Sequence, residues 1–371
     1  MKRVSASLAG AMALAVAAVF IFGNPVAWGE AALIMLDVAA GGAPTLWQDV
    51  TPPSSMYPTR WTDGEGDLYM PGGKVRAAMV LVPGAAVLGR SEPRLQAFAR
   101  TFARAGFAVL VPELPEVRQL RLSRGDADRI AAALRQLQTW QPTVPLGVAA
   151  ISYAVAPTII ATLQDGLVAK VNFIAGVGGY RDTESVIRFV TTGVFRPMDS
   201  PRERHIEPNA YGRWAFLLAN AGRLDDLDDE LRLEQIARTR FRDPQADTAH
   251  LANGLGPRGR AVMALVENRD PDAVGRLIAA LPESVRREID ALDLALYDLS
   301  KLRSHLILVH GRGDTMVPYS ESQALAAAAA NARVSLFLID DIGHVEFSAV
   351  SLANGWLMGR AILTLLEERA R

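Results

Sequence analysis

Residues 145–157 read PLGVAAISYAVAP, and the fold turns on how this stretch is read. A short apolar run, 146–151, stops abruptly at Ser152. Tyr153 and the small Ala154 follow, then an apolar segment, 155–163, long enough for a helix. A buried strand, a serine on a tight turn and a helix together present a serine nucleophile at the tip of a sheet. The turn is sharp, so the residues two before and two after the serine must be small. Here they are Ala150 and Ala154. Small-x-Ser-x-small also arises by chance in an alanine-rich chain, so the stretch alone equally describes a serine that merely ends a buried strand.

Working outward, the same alternation continues on both sides. Residues 77–82 form a continuous apolar run, the pattern of a strand buried on both faces, and it stops at Pro83-Gly84-Ala85-Ala86. Residues 94–105 place Leu95, Phe98, Ala99, Phe102 and Ala103 at helical spacing, with Gly106 as the terminating residue. Strands are expected at 107–111 and 171–175, with a helix at 126–137 between them. Strand–helix alternation of this kind predicts a mostly parallel central sheet with helices on both faces, an α/β class. Upstream, residues 61–70 carry Asp63-Gly64-Glu65-Gly66 between strand-like pieces, a hairpin pattern.

Between 181 and 299 no convincing strand is found and charge density rises. Four segments read as helices: 184–190, 211–221, 228–238 and 273–292. The alternation resumes with strands at 305–309 and 334–339 and helices at 320–330 and 350–367. A helical block of roughly a hundred residues between two sheet strands is expected to form a lid over the strand tips, or else a separate helical subdomain. The expected organisation is 1–30 as a transmembrane anchor or signal, 31–60 as a linker, 61–180 as the first part of the core, 181–300 as the insertion and 301–371 as the second part.

The opening segment has Lys2 and Arg3 before an uncharged, mostly apolar run, 4–22. About 20 apolar residues suffice to cross a bilayer, and the basic flank favours keeping that end in the cytoplasm. A single-pass anchor with the rest of the chain outside the cytoplasmic membrane is therefore expected. A cleaved signal peptide with a site near Gly29-Glu30-Ala31, followed by secretion, and a buried core helix are the alternatives.

Composition removes several function classes. A net charge of −1 gives no electrostatic case for a nucleic-acid partner. The absence of cysteine removes disulfides, thiolate metal sites and a cysteine nucleophile. No histidine spacing suggests a metal site, so no cofactor is expected; oligomeric state is left open. Residues 84–91, GAAVLGRS, resemble a phosphate loop with arginine in place of lysine, but without the lysine that would reach the phosphates. The glycine clusters 176–179 and 254–259 read as a strand-end turn and a loop.

Two downstream stretches give Ser152 its partners. In 306–318, LILVHGRGDTMVP, a buried strand ends at His310-Gly311 and a loop presents Asp314. In 334–347, VSLFLIDDIGHVEF, another strand ends and a loop presents His344. Serine, acid and histidine each follow a separate strand, in the order of the α/β-hydrolase sheet. Asp340 and Asp341 are rival acids, but they lie too near His344 in sequence. His310 is expected to order the Asp314 loop, and His205, His250 and His305 receive no role.

On these motifs the chain resembles the α/β-hydrolase superfamily, in the style of its dienelactone-hydrolase-like members, from about residue 67 onward. HGRGDTMVP and GHVEF, about thirty residues apart, are the most specific part. Alanines replace glycines at 150 and 154, and Pro83-Gly84 stands where many members have His-Gly. The resemblance implies a serine hydrolase. Ser152 would be the nucleophile, His344 the base and later the acid, and Asp314 the group that orients and stabilises the imidazole. Backbone N–H groups of Tyr153 and Ala85 would form the oxyanion hole. A small-molecule carboxylic ester is the expected substrate. Amide or peptide cleavage by the same residues is one alternative, and a silent scaffold that binds a ligand or partner is another.

Overall fold

The computed structural model describes residues 24–85, 87–121, 123–340, 343 and 352–370. The apolar run 4–22 lies outside them. Among the described residues no helix is long and apolar enough to cross a membrane.

Eight strands form one sheet. They are β1 (Ser55–Trp61), β2 (Gly64–Met70), β3 (Ala77–Val82), β4 (Phe107–Pro112), β5 (Leu146–Ile151), β6 (Val171–Val177), β7 (His305–Gly311) and β8 (Val334–Ile339). Their spatial order is β1-β2-β4-β3-β5-β6-β7-β8. From β4 to β8 all neighbours are parallel, while β1–β2 and β2–β4 are antiparallel. The continuous apolar runs become the central strands: every residue of β3 and β4 is buried. The hairpin turns one step earlier than the glycines suggest, at Thr62-Asp63, with Trp61 opposite Gly64. Gly66 is inside β2, where a Cβ would lie 2.4 Å from the Val111 carbonyl oxygen and block pairing with β4.

Helices cover both faces. On one side lie α1 (Pro25–Ala40), α2 (Pro93–Arg104) and, from the chain's end, a helix over Leu352–Glu367. On the other lie α3 (Gly125–Trp140) and α4 (Val155–Thr162), with the helix Ser320–Ala328. The insertion between β6 and β7 contains α5 (Thr183–Thr192), α6 (Ala210–Ala221), α7 (Leu227–Arg242) and α8 (Pro257–Val266) with shorter turns. Continuing the numbering, Ser320–Ala328 is α9 and Leu352–Glu367 is α10. The insertion has its own apolar core around Leu217, Leu233, Ile236, Val262 and Leu265. Its only strand pairing among the described residues is Val194–Phe195 with Arg204–His205.

The insertion is clamped to the sheet domain at its entry. Glu321 on α9 is buried and accepts hydrogen bonds from Arg181 N (3.1 Å), Asp182 N (2.9 Å) and Ser185 Oγ (2.6 Å). The returning chain closes on the same point, with Ala295 N donating to Arg181 O at 3.1 Å.

Residues 31–60 correct the expectation of a linker. They contain most of α1, a short helix Leu46–Val50 and most of β1. The reason is burial: Ala31 and Ile34 are wholly inaccessible and Trp47 nearly so. Asp37, which breaks the apolar pattern, is buried yet satisfied, accepting from Thr101 Oγ1 (2.5 Å), Gln48 Nε2 (2.8 Å) and Thr45 Oγ1. Trp28 stacks on Trp356 of α10, with centroids 4.3 Å apart. Arg369, just beyond α10, forms a two-pronged pair with Glu30 at 2.6 and 2.7 Å. Ile34→Ala should therefore lower unfolding free energy in urea by about 2–5 kcal/mol, the cost of a core cavity. A change of only a few tenths of a kcal/mol would mean that α1 is a tether and not part of the core.

Candidate active site

The C-terminal edge of the parallel strands carries the candidate residues, as open α/β sheets favour. Ser152 follows β5 directly and has φ of +57°. A non-glycine residue in the left-handed region costs roughly 1–2 kcal/mol, so the surrounding packing must impose it. The means are visible. Ala150 and Ala154 are buried, each at 1% exposure, and small enough for the turn. Val155, opening α4, sits where side chains at Gly176, in the adjacent strand β6, and Gly179, just beyond it, would be. A Cβ on Gly179 would lie 2.5 Å from Val155 Cγ1, and one on Gly176 would lie 3.3 Å away. The close approach that the serine motif lacks at 150 and 154 is supplied from β6.

The loop after β3 abuts the same turn. Val82 and Ala150 are register partners, so the two chains leave the sheet side by side. A Cβ on Gly84 would lie 3.2 Å from Ile151 O and 3.7 Å from Ser152 Cβ. Ala85 follows and packs against both the sheet core and the insertion core. The loop is held by Arg90, whose guanidinium meets Glu113 (2.7 Å), Asp67 (3.2 Å) and Glu65 (3.2 Å). Three carboxylates thus consume the arginine that made 84–91 resemble a phosphate loop. This positioning role was not read from the sequence. Glu65 and Asp67, two apart in a strand and so on one face, were the available signal.

Asp314 lies in the loop after β7 and is 2% exposed. Its Oδ1 accepts from Met316 N (2.7 Å) and Val317 N (3.0 Å), while Oδ2 is 3.3 Å from His310 Nε2. His310 in turn meets Val317 O at 2.9 Å through Nε2 and Ser322 Oγ at 2.7 Å through Nδ1. The hydrogen-bond pattern assigns the proton to Nε2, and His310 orders the acid's loop as expected. The rival Asp340 is exposed and lies 3.4 Å from Arg312 Nε. His344 and Asp341 lie outside the described residues. The structure thus brings Ser152, Tyr153 and the 83–85 loop together, and puts Asp314 on the same sheet edge two strands away.

A protein described as a candidate hydrolase from Legionella pneumophila aligns over 91% of this chain and 94% of its own, with a TM-score of 0.50 and 13% identity. The chain has the α/β-hydrolase fold. A serine hydrolase from Cycloclasticus zankles aligns over 85% and 98%, with a TM-score of 0.47 and 14% identity. An acylaminoacyl peptidase from Pyrococcus horikoshii aligns over 87% and 42%, with a TM-score of 0.47 and 12% identity. No family model matches the sequence, and no curated protein does.

Within this α/β-hydrolase fold the residue after the serine has an unforeseen second attachment. The Tyr153 hydroxyl is 2.7 Å from Asp126 Oδ2 and 3.0 Å from Ser123 O. Asp126 opens α3 and is 1% exposed, and burial pushes its carboxyl up to about 6 against the donors around it. Burial also holds the Tyr153 phenol well above its ordinary range. Among the described residues, Asp126 Oδ1 is buried without a hydrogen-bond partner, as suits a carboxyl that is readily protonated.

The sign of the linkage follows. A carboxyl with a raised folded value binds its proton more tightly when folded. Its contribution is complete below the ordinary value of 3.8 and disappears as pH rises through about 6. Asp126→Asn should remove this dependence and be more stable than wild type at pH 8, by up to about 3 kcal/mol. Urea titrations at pH 4, 6 and 8 check this; a constant difference between the two proteins would contradict it.

The same residue types recur at the other end of the sheet. His305, first in β7, has Nδ1 2.6 Å from Glu368 Oε1 and Nε2 2.9 Å from Ser335 Oγ. Ser335, however, sits in regular β8, paired in register with Ile307.

Proposed function

We propose that the protein is a serine hydrolase that cleaves a carboxylic ester through an acyl-enzyme. The observation that carries this reading is the left-handed backbone of Ser152, held at a strand–helix junction beside the 83–85 loop. In this reading His344 takes the Ser152 proton as Oγ attacks the carbonyl carbon, then returns it to the leaving alkoxide. Water, deprotonated by the same imidazole, releases the acid and restores the serine. Asp314 holds the imidazole in the tautomer that accepts the proton. Tyr153 N–H opens the turn that begins the helix, and together with Ala85 N–H it would receive the oxyanion. Losing one such donor typically costs about 2.7–4 kcal/mol in the barrier.

The apolar surroundings speak to the acyl part of the substrate, which an ester and an amide share. A cavity of ≈ 130 Å³ runs between the sheet and α1, α2 and α10 and reaches Ile151, the residue before Ser152. Its lining is entirely apolar side chains and glycine. An apolar cavity of about 150 Å³ stays dry and accepts a benzene-sized group, so a short hydrocarbon acyl chain suits it.

A fluorophosphonate probe should label the full chain. Ser152→Ala should abolish labelling and Ser335→Ala should retain it, because only Ser152 has the strained presentation. Labelling that survives Ser152→Ala would overturn the assignment. Well-folded wild type that does not label would favour a silent scaffold. Chromogenic ester and anilide panels then separate ester from amide, and turnover of anilides alone would displace the ester reading.

We also propose that the 4–22 run anchors the chain in the cytoplasmic membrane, with the hydrolase domain on the outer side. Its length and basic flank support this. The labelled protein should then pellet with membranes and be released only by detergent. Recovery of a soluble chain starting near residues 28–32 would indicate cleavage instead.

A further inference from the structure

The helical insertion contains a second cavity, of ≈ 300 Å³, lined by Arg213, Trp214, Arg240, Arg269, Glu207 and Glu267 among others. Arg213 projects from α6, Arg240 from the last turn of α7, and Arg269 from just beyond α8. Three guanidinium groups and two carboxylates leave one excess positive charge. Among the described residues none of the three arginines has a carboxylate within 4 Å.

Their hydrogen bonds go to other groups. Arg213 Nη2 reaches Val190 O (3.5 Å) and Thr191 O (3.3 Å); Arg269 Nη1 donates to Asn268 O (2.7 Å) and Glu267 O (3.1 Å) on its own segment and reaches the same Thr191 O at 3.4 Å. Arg240 donates to Pro244 O (2.6 Å) and Thr248 Oγ1 (3.4 Å), and lies 5.3 Å over the Trp214 ring. Capping of the carbonyls that end α5 accounts for the Nη contacts to Val190 O and Thr191 O. It does not account for Arg213 Nε, which is buried with no hydrogen-bond partner among the described residues. Nor does it explain why two like charges converge on one carbonyl beside an open space. Burial and the neighbouring Arg269 push the Arg213 guanidinium down to about 10, the direction expected where positive charge is poorly compensated.

We propose that this cavity binds a small anionic molecule through a carboxylate or phosphate group. A planar guanidinium fork matches both groups, and an anion between Arg213 and Arg269 would relieve their repulsion. The indole under Arg240, with Pro208 and Pro244, gives an apolar wall for the rest of the molecule. The volume is at the lower end of small-molecule sites.

The start of α6, which carries Ala210 and Arg213 of the cavity lining, also meets the acid loop. Asn209, which caps α6, donates its backbone N–H to Thr315 O at 2.9 Å, one residue past Asp314. Gly212 packs on Met316, where a Cβ would lie 3.4 Å from Cε. A ligand that orders the start of α6 would therefore also order the loop presenting Asp314.

Calorimetric titration of the full chain at constant ionic strength tests this, with inorganic phosphate and benzoate as separate probes. Saturable binding of at least one is expected, and which one binds separates the phosphate from the carboxylate source. Arg269→Gln should weaken it roughly tenfold, and Glu207→Gln, which removes a competing carboxylate, should tighten it about two- to threefold. Both side chains are exposed, so folding should survive. A shift of either variant in its stated direction supports the site. No saturable binding by wild type, or any other pattern among the three proteins, overturns it.

Discussion

The left-handed backbone at Ser152 is the constraint around which the rest is arranged. A serine does not adopt φ of +57° unless neighbouring packing compels it, and here compulsion comes from both sides. The β5 strand is locked between β3 and β6 up to Ala150 and Ile151, so the chain enters the turn in a fixed direction. Helix α4 leaves with Val155 pressed over Gly176 of β6 and Gly179 just beyond it, so the exit is fixed too. Between a fixed entry and a fixed exit, one residue must reverse the chain. The strain of about 1–2 kcal/mol is stored where the side chain gains exposure at the sheet edge.

Electrostatics then hold the walls of the turn. Arg90 binds the 83–91 loop to β2 and the end of β4 through three carboxylates, and Tyr153 ties the turn to α3 through Asp126. The two attachments differ in character. The Arg90 cluster compensates charge with charge and is partly solvated, whereas Asp126 is a buried acid facing a phenol, with no ion pair among the described residues. Burial pushes its carboxyl up, and the mooring of the turn carries a pH dependence.

The strand cores were legible because a strand buried on both faces must be continuously apolar. That is why 77–82, 107–111 and 146–151 stand out, each ended by a breaker or a polar loop. Helix α1 was hidden by the same physics. It is apolar nearly all round, so it has no amphipathic period, and Asp37, one of its two charges, reads as an interruption. Asp37 is instead satisfied by Thr45, Gln48 and Thr101, partners up to 64 residues away that no local pattern reveals. Strand β1 is mostly exposed and at the sheet edge, so it too lacked a burial signal. Gly176 and Gly179 looked like a simple turn because their tight contact is with Val155, on the helix of the preceding strand. In the site, Ser152 and Asp314 could be placed from strand ends, and the contacts that hold Asp314 are local, but the tie from Tyr153 to Asp126 spans 27 residues and has no local pattern.

The serine, histidine and acid gathered at the N-terminal edge of the sheet show what residue chemistry alone leaves undetermined. Ser335, His305 and Glu368 have hydrogen bonds of 2.9 and 2.6 Å, the lengths a proton relay needs. Yet Ser335 lies flat in a parallel ladder at the N-terminal edge, where the strand supplies no reversal of direction. The histidine and glutamate there are almost wholly buried, and the grouping joins β7, β8 and the end of the chain. Ser152 has the complementary properties: a reversed backbone, a glycine loop alongside and a helix beginning at the next residue. Nucleophilic chemistry depends on where charge can develop and be received, and a relay without such a place is a buried tie between elements. Backbone conformation, more than the identity of three side chains, distinguishes the two ends of this sheet.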